Sequence, residues 1–345
     1  MVNIRMARAR APLRLGLAGG GTDVSPYSEE YGGLVLNATI NKYAYTTLTL
    51  RDDGQVEFVA ADNQVSWRGE ATPRIEPVRG LELHAGAYNR VVKDFLGGKA
   101  LPVTIVTHSE APPGSGLGSS STMVVALLQA FIELLALPLG EYDLAKLAYE
   151  VERVDLGLAG GKQDQYAAAF GGFNFMEFYG GRVLVNPLRI KPQYLAELES
   201  SLVLFYTGVS RESASIIKEQ TKNVSDRKTV ALDALHRVKE EARRTKECIL
   251  TGDFKGLSAS MADAWTAKKQ MASSISNAMI DEIYSATIAA GASAGKVSGA
   301  GGGGFMMFLS DPARRPDVLR CLAGFPGQAM NASFVEQGAY AWSFT

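Results

Sequence analysis

Hydrophobic and polar positions follow one rhythm in the first half of the chain and another in the second. In the first half, short stretches rich in β-branched and aromatic residues predict strands over 3–17, 43–50, 55–60 and 102–108. Apolar residues at three- and four-residue spacing predict helices over 84–95, 123–136 and 142–155. Two further strands, 172–178 and 182–187, meet at a Tyr-Gly-Gly turn. After a strand at 202–206, the chain reads as nearly all helix from 212 to about 291, broken at Asp226, at Gly252-Asp253 and around 273–276. Strands near 293–298, 305–309, 329–335 and 339–344 close the sequence, with a helix over 312–322 among them. Strands and helices mix without a steady βαβ alternation, which favours an α+β fold over a doubly wound sheet. The change of rhythm places a domain boundary near 187–191, giving domains of 1–188 and 189–345.

Composition narrows the function classes. The formal net charge is −1 and no basic cluster stands out, so nothing draws the chain to nucleic acid. The most apolar stretch, 123–136, is interrupted by Gln129 and Glu133 and is too short for a membrane span. The two cysteines, Cys248 and Cys321, lack a CxxC partner and read as plain thiols of a reducing compartment. Arginines near the N-terminus are not followed by an apolar signal region. A cytoplasmic enzyme or binding protein is expected, and homodimer formation is left open. The histidines His84, His108 and His236 are scattered and suggest neither a metal site nor a catalytic triad.

Three glycine-rich stretches remain: GLAGGGTD (16–23), PPGSGLGSSST (112–122) and SGAGGGG (298–304). A Walker A loop does not fit, because GASAGKV (291–297) has the wrong spacing and no hydroxyl after Lys296. A GxGxxG pattern occurs at Gly299, Gly301 and Gly304, but a strand-like FMMFL follows where a dinucleotide fold needs a helix. The 112–122 stretch has the right context, between a strand and an apolar helix. Its glycines let backbone N–H groups curl around an anion at the helix N-terminus. Its serines could cap that helix, bind phosphate oxygens or offer a hydroxyl to Mg²⁺.

PPGSGLGSSS resembles the second motif of the GHMP kinases, the family of galactokinase, homoserine kinase and mevalonate kinase. APLRLGLAGGGTD (11–23) and KVSGAGGGGFMMF (296–308) resemble the first and third motifs, in order and across nearly the whole chain. Within the family, GGGTD and GGKQDQYAAAFGGFNF (160–175) are most similar to the kinases of D-glycero-D-manno-heptose 7-phosphate. The resemblance implies an N-terminal domain like domain 2 of ribosomal protein S5, a ferredoxin-like C-terminal domain, and a cleft between them for ATP, Mg²⁺ and a sugar phosphate. A fucokinase-like enzyme of an unphosphorylated sugar, or a non-catalytic sugar sensor of the same fold, are the alternatives.

The family pattern also implies roles. Pro113, Gly114, Ser115, Gly116, Leu117, Gly118, Ser119, Ser120 and Ser121 would cradle the nucleotide phosphates. Ser120, with Ser119 as competitor, and Glu152, with Glu150 nearby, would hold Mg²⁺. Asp164 would act on the substrate hydroxyl as base or by orienting it, and Arg14 would stabilise the resulting alkoxide. Gly20, Gly21, Thr22, Asp23, Lys162, Gly301 and Gly302 would contact the substrate. Gly20-Gly21 replace the Glu-His of galactokinases, leaving more room beside the sugar. The substrate's own phosphate calls for cations, with Lys42, Arg153, Lys162, Arg211 and Lys218 as candidates.

Overall fold

The first strand changes its partners halfway along. In the computed structural model, which describes residues 5–209 and 213–344, β1 (Met6–Ala18) pairs antiparallel with β2 along its length, and the register slips between Pro12 and Arg14. Ala7, Ala9 and Ala11 pack into the core of the first domain, whereas Leu13, Leu15 and Leu17 pack against the second domain. Such a bulge re-aims side chains. It leaves Arg14 and Gly16 on the face opposite those leucines. Burial of each leucine contributes about 2 kcal/mol to holding the two domains together.

After β1 come α1 (Tyr27–Tyr31), β2 (Gly33–Leu50), β3 (Gln55–Ala60), β4 (Val65–Glu70), α2 (Glu82–Phe95), β5 (Val103–Ser109) and α3 (Ser119–Leu135). Then follow α4 (Glu141–Tyr149), a π-helical turn at Glu150–Asp155, α5 (Gln163–Phe170), β6 (Phe173–Tyr179) and β7 (Arg182–Pro187). The first sheet runs β12-β1-β2-β5-β3-β4, with β6 and β7 added along the early part of β2. Helix α3 lies under β1 and β2 and is buried almost all round, which explains why only Gln129 and Glu133 interrupt its apolar run after Thr122.

The second unit is built from α6 (Pro192–Ser201), β8 (Leu202–Tyr206), α7 (Ser213–Ser225), α8 (Thr229–Thr251) and α9 (Phe254–Lys268). It continues with α10 (Ala278–Ala289), β9 (Ala292–Val297), β10 (Phe305–Ser310), α11 (Arg315–Leu322) and β11 (Gln328–Met330). Its antiparallel sheet has the order β11-β8-β10-β9. The last strand, β12 (Tyr340–Phe344), pairs with β1 in the first sheet. The expected unit of 189–345 is corrected in that respect: the chain end returns to the first domain, where β12 covers an otherwise open edge.

Other differences have local causes. The strand at 43–50 extends back to Gly33, because residues 33–40 are buried where β1 and β6 pair with them, Asn37 included. The helix expected over 142–155 changes to π-helical hydrogen bonding at Glu150. The strand expected over 329–335 shortens to three residues, and Phe334 forms a single bridge to Ile40. Strand β4 was hidden by its polar, half-solvated character.

Candidate active site

The loop between β5 and α3 turns on three glycines held at positive φ, Gly114 (+71°), Gly116 (+81°) and Gly118 (+77°). At Gly116 the requirement is also steric: a Cβ there would stand 2.4 Å from the Ser298 carbonyl oxygen of the third glycine-rich stretch. The two stretches are stitched by Ser298 Oγ donating to Gly116 O (2.9 Å) and Phe305 N–H donating to Ser115 O (2.8 Å). No side chain caps α3, so the N–H groups of its first turn face the cleft. Gly116→Ala is expected to raise the KM for ATP at least ~10-fold and to destabilise the fold by about 1–3 kcal/mol, the usual cost of forced left-handed backbone. ATP titrations and thermal melts of the variant check it, and an unchanged KM would remove the loop from nucleotide binding.

Arg14 is buried and its guanidinium is fully directed. Nε donates to Asp164 Oδ1 at 2.7 Å, Nη2 lies 2.7 Å from the same oxygen, and Nη1 donates to Gly116 O at 2.6 Å. Asp164 sits in the first turn of α5, where the helix dipole favours a carboxylate. Its side chain keeps 22% of its surface exposed, toward the cleft that it lines. Gly118 must be glycine for this approach as well, since a Cβ there would meet Asp164 Cγ at 3.1 Å.

Glu152 is fully buried in the π-helical turn, a distortion that recurs at functional sites. Ser120 Oγ donates to its Oε1 at 2.8 Å, Gln165 Nε2 donates to its Oε2 at 2.5 Å, and Arg153 Nη1 lies 3.6 Å away. Glu150 instead pairs with Arg90 on the other side of the helix. Ser119 Oγ contacts only the Pro112 carbonyl at 3.4 Å. Geometry thus joins Ser120 with Glu152 and leaves their two competitors aside. Among the described residues no group of three or more His, Cys, Asp or Glu side chains is arranged to hold a metal. The donors at this point are a hydroxyl and a carboxylate, hard oxygens of the kind Mg²⁺ takes when phosphate supplies the rest.

Asp23 is buried, and burial foremost pushes its pKa up. Four donors surround it: the N–H groups of Gly21 (3.2 Å), Lys162 (2.9 Å) and Gln163 (3.1 Å), and Gln163 Nε2 (3.2 Å). It lines the cleft, but its main work is to tie the first glycine stretch to the start of α5. Gly161 makes that contact feasible, because a Cβ there would fall 1.9 Å from Asp23 Oδ2.

The residues expected at the substrate divide by position. Gly20 and Gly21 line the cleft. Thr22 does not: its hydroxyl is buried among Gly19 O, Leu34 O and Leu34 N–H. Gly301 packs on Ile275, and Gly302 bonds Ile275 O and Asn277 Nδ2, so Gly299 and Ala300 face the cleft instead. Lys162 lies outside the cleft lining with its ammonium 3.1 Å from Glu29. Lys42 lies on β2 away from the cleft, and Arg211 lies outside the described residues.

The cleft, of ≈ 280 Å³, holds one cation that sequence reasoning missed. Lys268, at the end of α9, is buried and lines it, with Nζ donating to Gly299 O at 2.5 Å. Burial, and then Arg14, push its pKa down to about 8, against the pull of Asp23. A signal was present: Met261, Ala264, Trp265 and Lys268 share one stripe of the helix, so the lysine falls on a face that is otherwise buried. Gln163 and Gln165 were also missed, as uncharged residues in a motif read for its charges.

The chain matches the GHMP kinases N terminal domain over residues 82–172 and the GHMP kinases C terminal domain over residues 245–326. It is 45% identical to the D-glycero-alpha-D-manno-heptose 7-phosphate kinase of Campylobacter jejuni, over 98% of this chain and 99% of that one. A crystal structure from Bacteroides thetaiotaomicron, described as a D-glycero-D-manno-heptose 1-phosphate kinase, superposes with a TM-score of 0.85 at 44% identity, covering 98% of this chain and 99% of that one. Lactococcus lactis galactokinase shares the fold at a TM-score of 0.74 and 16% identity, covering 97% and 95% of the two chains. With the glycine loop, the arginine–aspartate pair and both domain matches in place, the chain belongs to the GHMP kinase family.

Proposed function

We propose that the protein transfers the γ-phosphoryl group of ATP to the C1 hydroxyl of D-glycero-D-manno-heptose 7-phosphate, giving the 1,7-bisphosphate and ADP. The carrying observation is the buried Arg14, paired with cleft-facing Asp164 and held against the glycine loop, in a chain 45% identical over nearly its full length to the Campylobacter kinase. Nucleotide phosphates lie against the N–H groups of 114–121 and the start of α3. Ser120 and Glu152 would hold Mg²⁺, which when bound neutralises charge between the β- and γ-phosphates. Asp164 accepts the hydrogen bond of the C1 hydroxyl and takes its proton as the new P–O bond forms. The bond to the ADP oxygen breaks, and ADP leaves with the electron pair. Arg14 holds the Asp164 carboxylate in place through its two contacts, and faces the developing alkoxide. Asp23 and Gln163 hold α5 at the distance this requires.

Lys268 supplies the remaining positive charge at the transferred group. Its ammonium is charged below about 8, so kcat/KM should fall as pH rises through about 8. Lys268→Arg should move that falling limb to higher pH, and Lys268→Ala should lower kcat/KM by roughly 10²-fold at pH 7, as loss of one preorganised donor does. A wild-type profile flat to pH 10 would show that the Lys268 charge takes no part.

The Bacteroides relative's description names the 1-phosphate, with the phosphate at the other end of the sugar. Turnover of both monophosphates distinguishes the readings: the 7-phosphate is expected to react and the 1-phosphate is not. No helix among the described residues is long and apolar enough to cross a membrane, and dependence on ATP fits a cytoplasmic site of action.

A further inference from the structure

A second cleft opens off the first. The two share Val24, Arg153, Gly160 and Ile217 in their walls, so they adjoin, and the 114–121 loop lines only the first. The side cleft adds Ser25 and Tyr149 on one wall, and Lys218 and Lys222 on the other. Lys218 and Lys222 are four residues apart on α7 and therefore project together. Two like charges at that spacing repel slightly, and among the described residues neither ammonium has an ion-pair partner to relieve it.

Arg153 reaches the junction of the two clefts. Its contacts are all long: 3.4 Å to Gly161 O, 3.5 Å to Leu158 O, 3.4 Å to Ser121 Oγ and 3.6 Å to Glu152. The guanidinium is half-buried without a close hydrogen bond to any of them. The acid nearest the mouth, Glu29, is already held by Ser25, Ser28 and Lys162, which also neutralises the lysine that the sequence pattern favoured. An opening with three under-used cations and an already neutralised acid suits a dianion.

We infer that this side cleft seats the remote phosphate of the sugar substrate, with Lys218, Lys222 and Arg153 as its ligands. The inference rests on the proposed reaction: with C1 at Asp164, the opposite end of the sugar extends past Gly160 into the side cleft. A substrate without that phosphate leaves the cations unmatched, so the site selects a phosphorylated sugar over a free one.

The test measures binding by calorimetry, which needs no turnover, of D-glycero-D-manno-heptose 7-phosphate and of free D-glycero-D-manno-heptose. Wild-type protein is compared with K218A/K222A, whose substituted side chains are exposed on a helix surface and whose melting temperature is read alongside. The ratio of the two affinities should fall on the order of 10²-fold in the double variant, since charge-assisted bonds to phosphate are lost while sugar contacts remain. K218R/K222R should restore most of it. An unchanged ratio, or equal losses for both sugars, overturns the subsite. If wild type binds the phosphate ester through these lysines yet never phosphorylates it, the subsite stands and the kinase reading falls. If it turns the ester over while the double variant discriminates as wild type does, the kinase reading stands and the subsite falls.

Discussion

Asp164→Asn is expected to fold, to bind ATP as wild type does, and to lose about 10²- to 10⁴-fold in kcat, the range for a positioned acid–base group. Asparagine keeps the shape and can still contact Arg14, but it cannot take a proton and carries no charge. Removing the arginine from the other side, Arg14→Ala, leaves Asp164 without its two 2.7 Å contacts and the Gly116 carbonyl with the Ser298 hydroxyl alone. On the proposed mechanism both groups act on one hydroxyl, so the double variant should be little worse than the poorer single variant, as for residues that work as a unit. Losses that multiply would mean separate roles. Near-wild-type turnover by Asp164→Asn would leave catalysis to positioning and metal alone. Single-turnover kinetics with saturating ATP measures the chemical step in each case.

Glu152→Gln is expected to raise the Mg²⁺ concentration needed for half-maximal activity by roughly 10- to 100-fold, the scale on which metal sites respond to altered oxygen donors and their supports. The substitution is nearly isosteric in a fully buried position, so packing is kept. It exchanges an acceptor for a donor opposite Gln165 Nε2 or Ser120 Oγ, which breaks one of the two short contacts now made to the carboxylate. Ser120→Ala should move the metal titration in the same direction by less. A Glu152→Gln titration that overlays wild type would remove the carboxylate from the metal site. It would not restore Glu150, which is committed to Arg90.

The α+β architecture was legible because the strand and helix periods are strong and the three glycine stretches fall in order. Arg14, Ser120, Glu152 and Asp164 were legible only through motif resemblance; their distances depend on features with no local signature. The bulge that turns Arg14 toward α5 is one of these, and the π-helical turn that carries Glu152 inward is another. Thr22 looked like a substrate contact because a hydroxyl in a glycine stretch reads as chemistry. Its bond to Gly19 is local, and its bonds to Leu34 come from β2, a strand whose early half sequence periodicity did not reveal. Lys268 was hidden for the opposite reason: lysine is ordinarily exposed, and only the second domain's packing on Gly299 buries it. The C-terminal strand could not be assigned to its sheet from sequence, since pairing with β1 is set by the whole fold rather than by neighbouring residues.

The most direct measurement follows phosphorus through the reaction. Purified protein, ATP, Mg²⁺ and D-glycero-D-manno-heptose 7-phosphate are combined, and the products are read by ³¹P NMR and mass spectrometry. A second sugar phosphate resonance coupled to the anomeric proton should appear, in step with ADP and with the mass of the bisphosphate. Persistence of the heptose 7-phosphate unchanged, with phosphate released to water or ATP left intact, would contradict the proposed reaction.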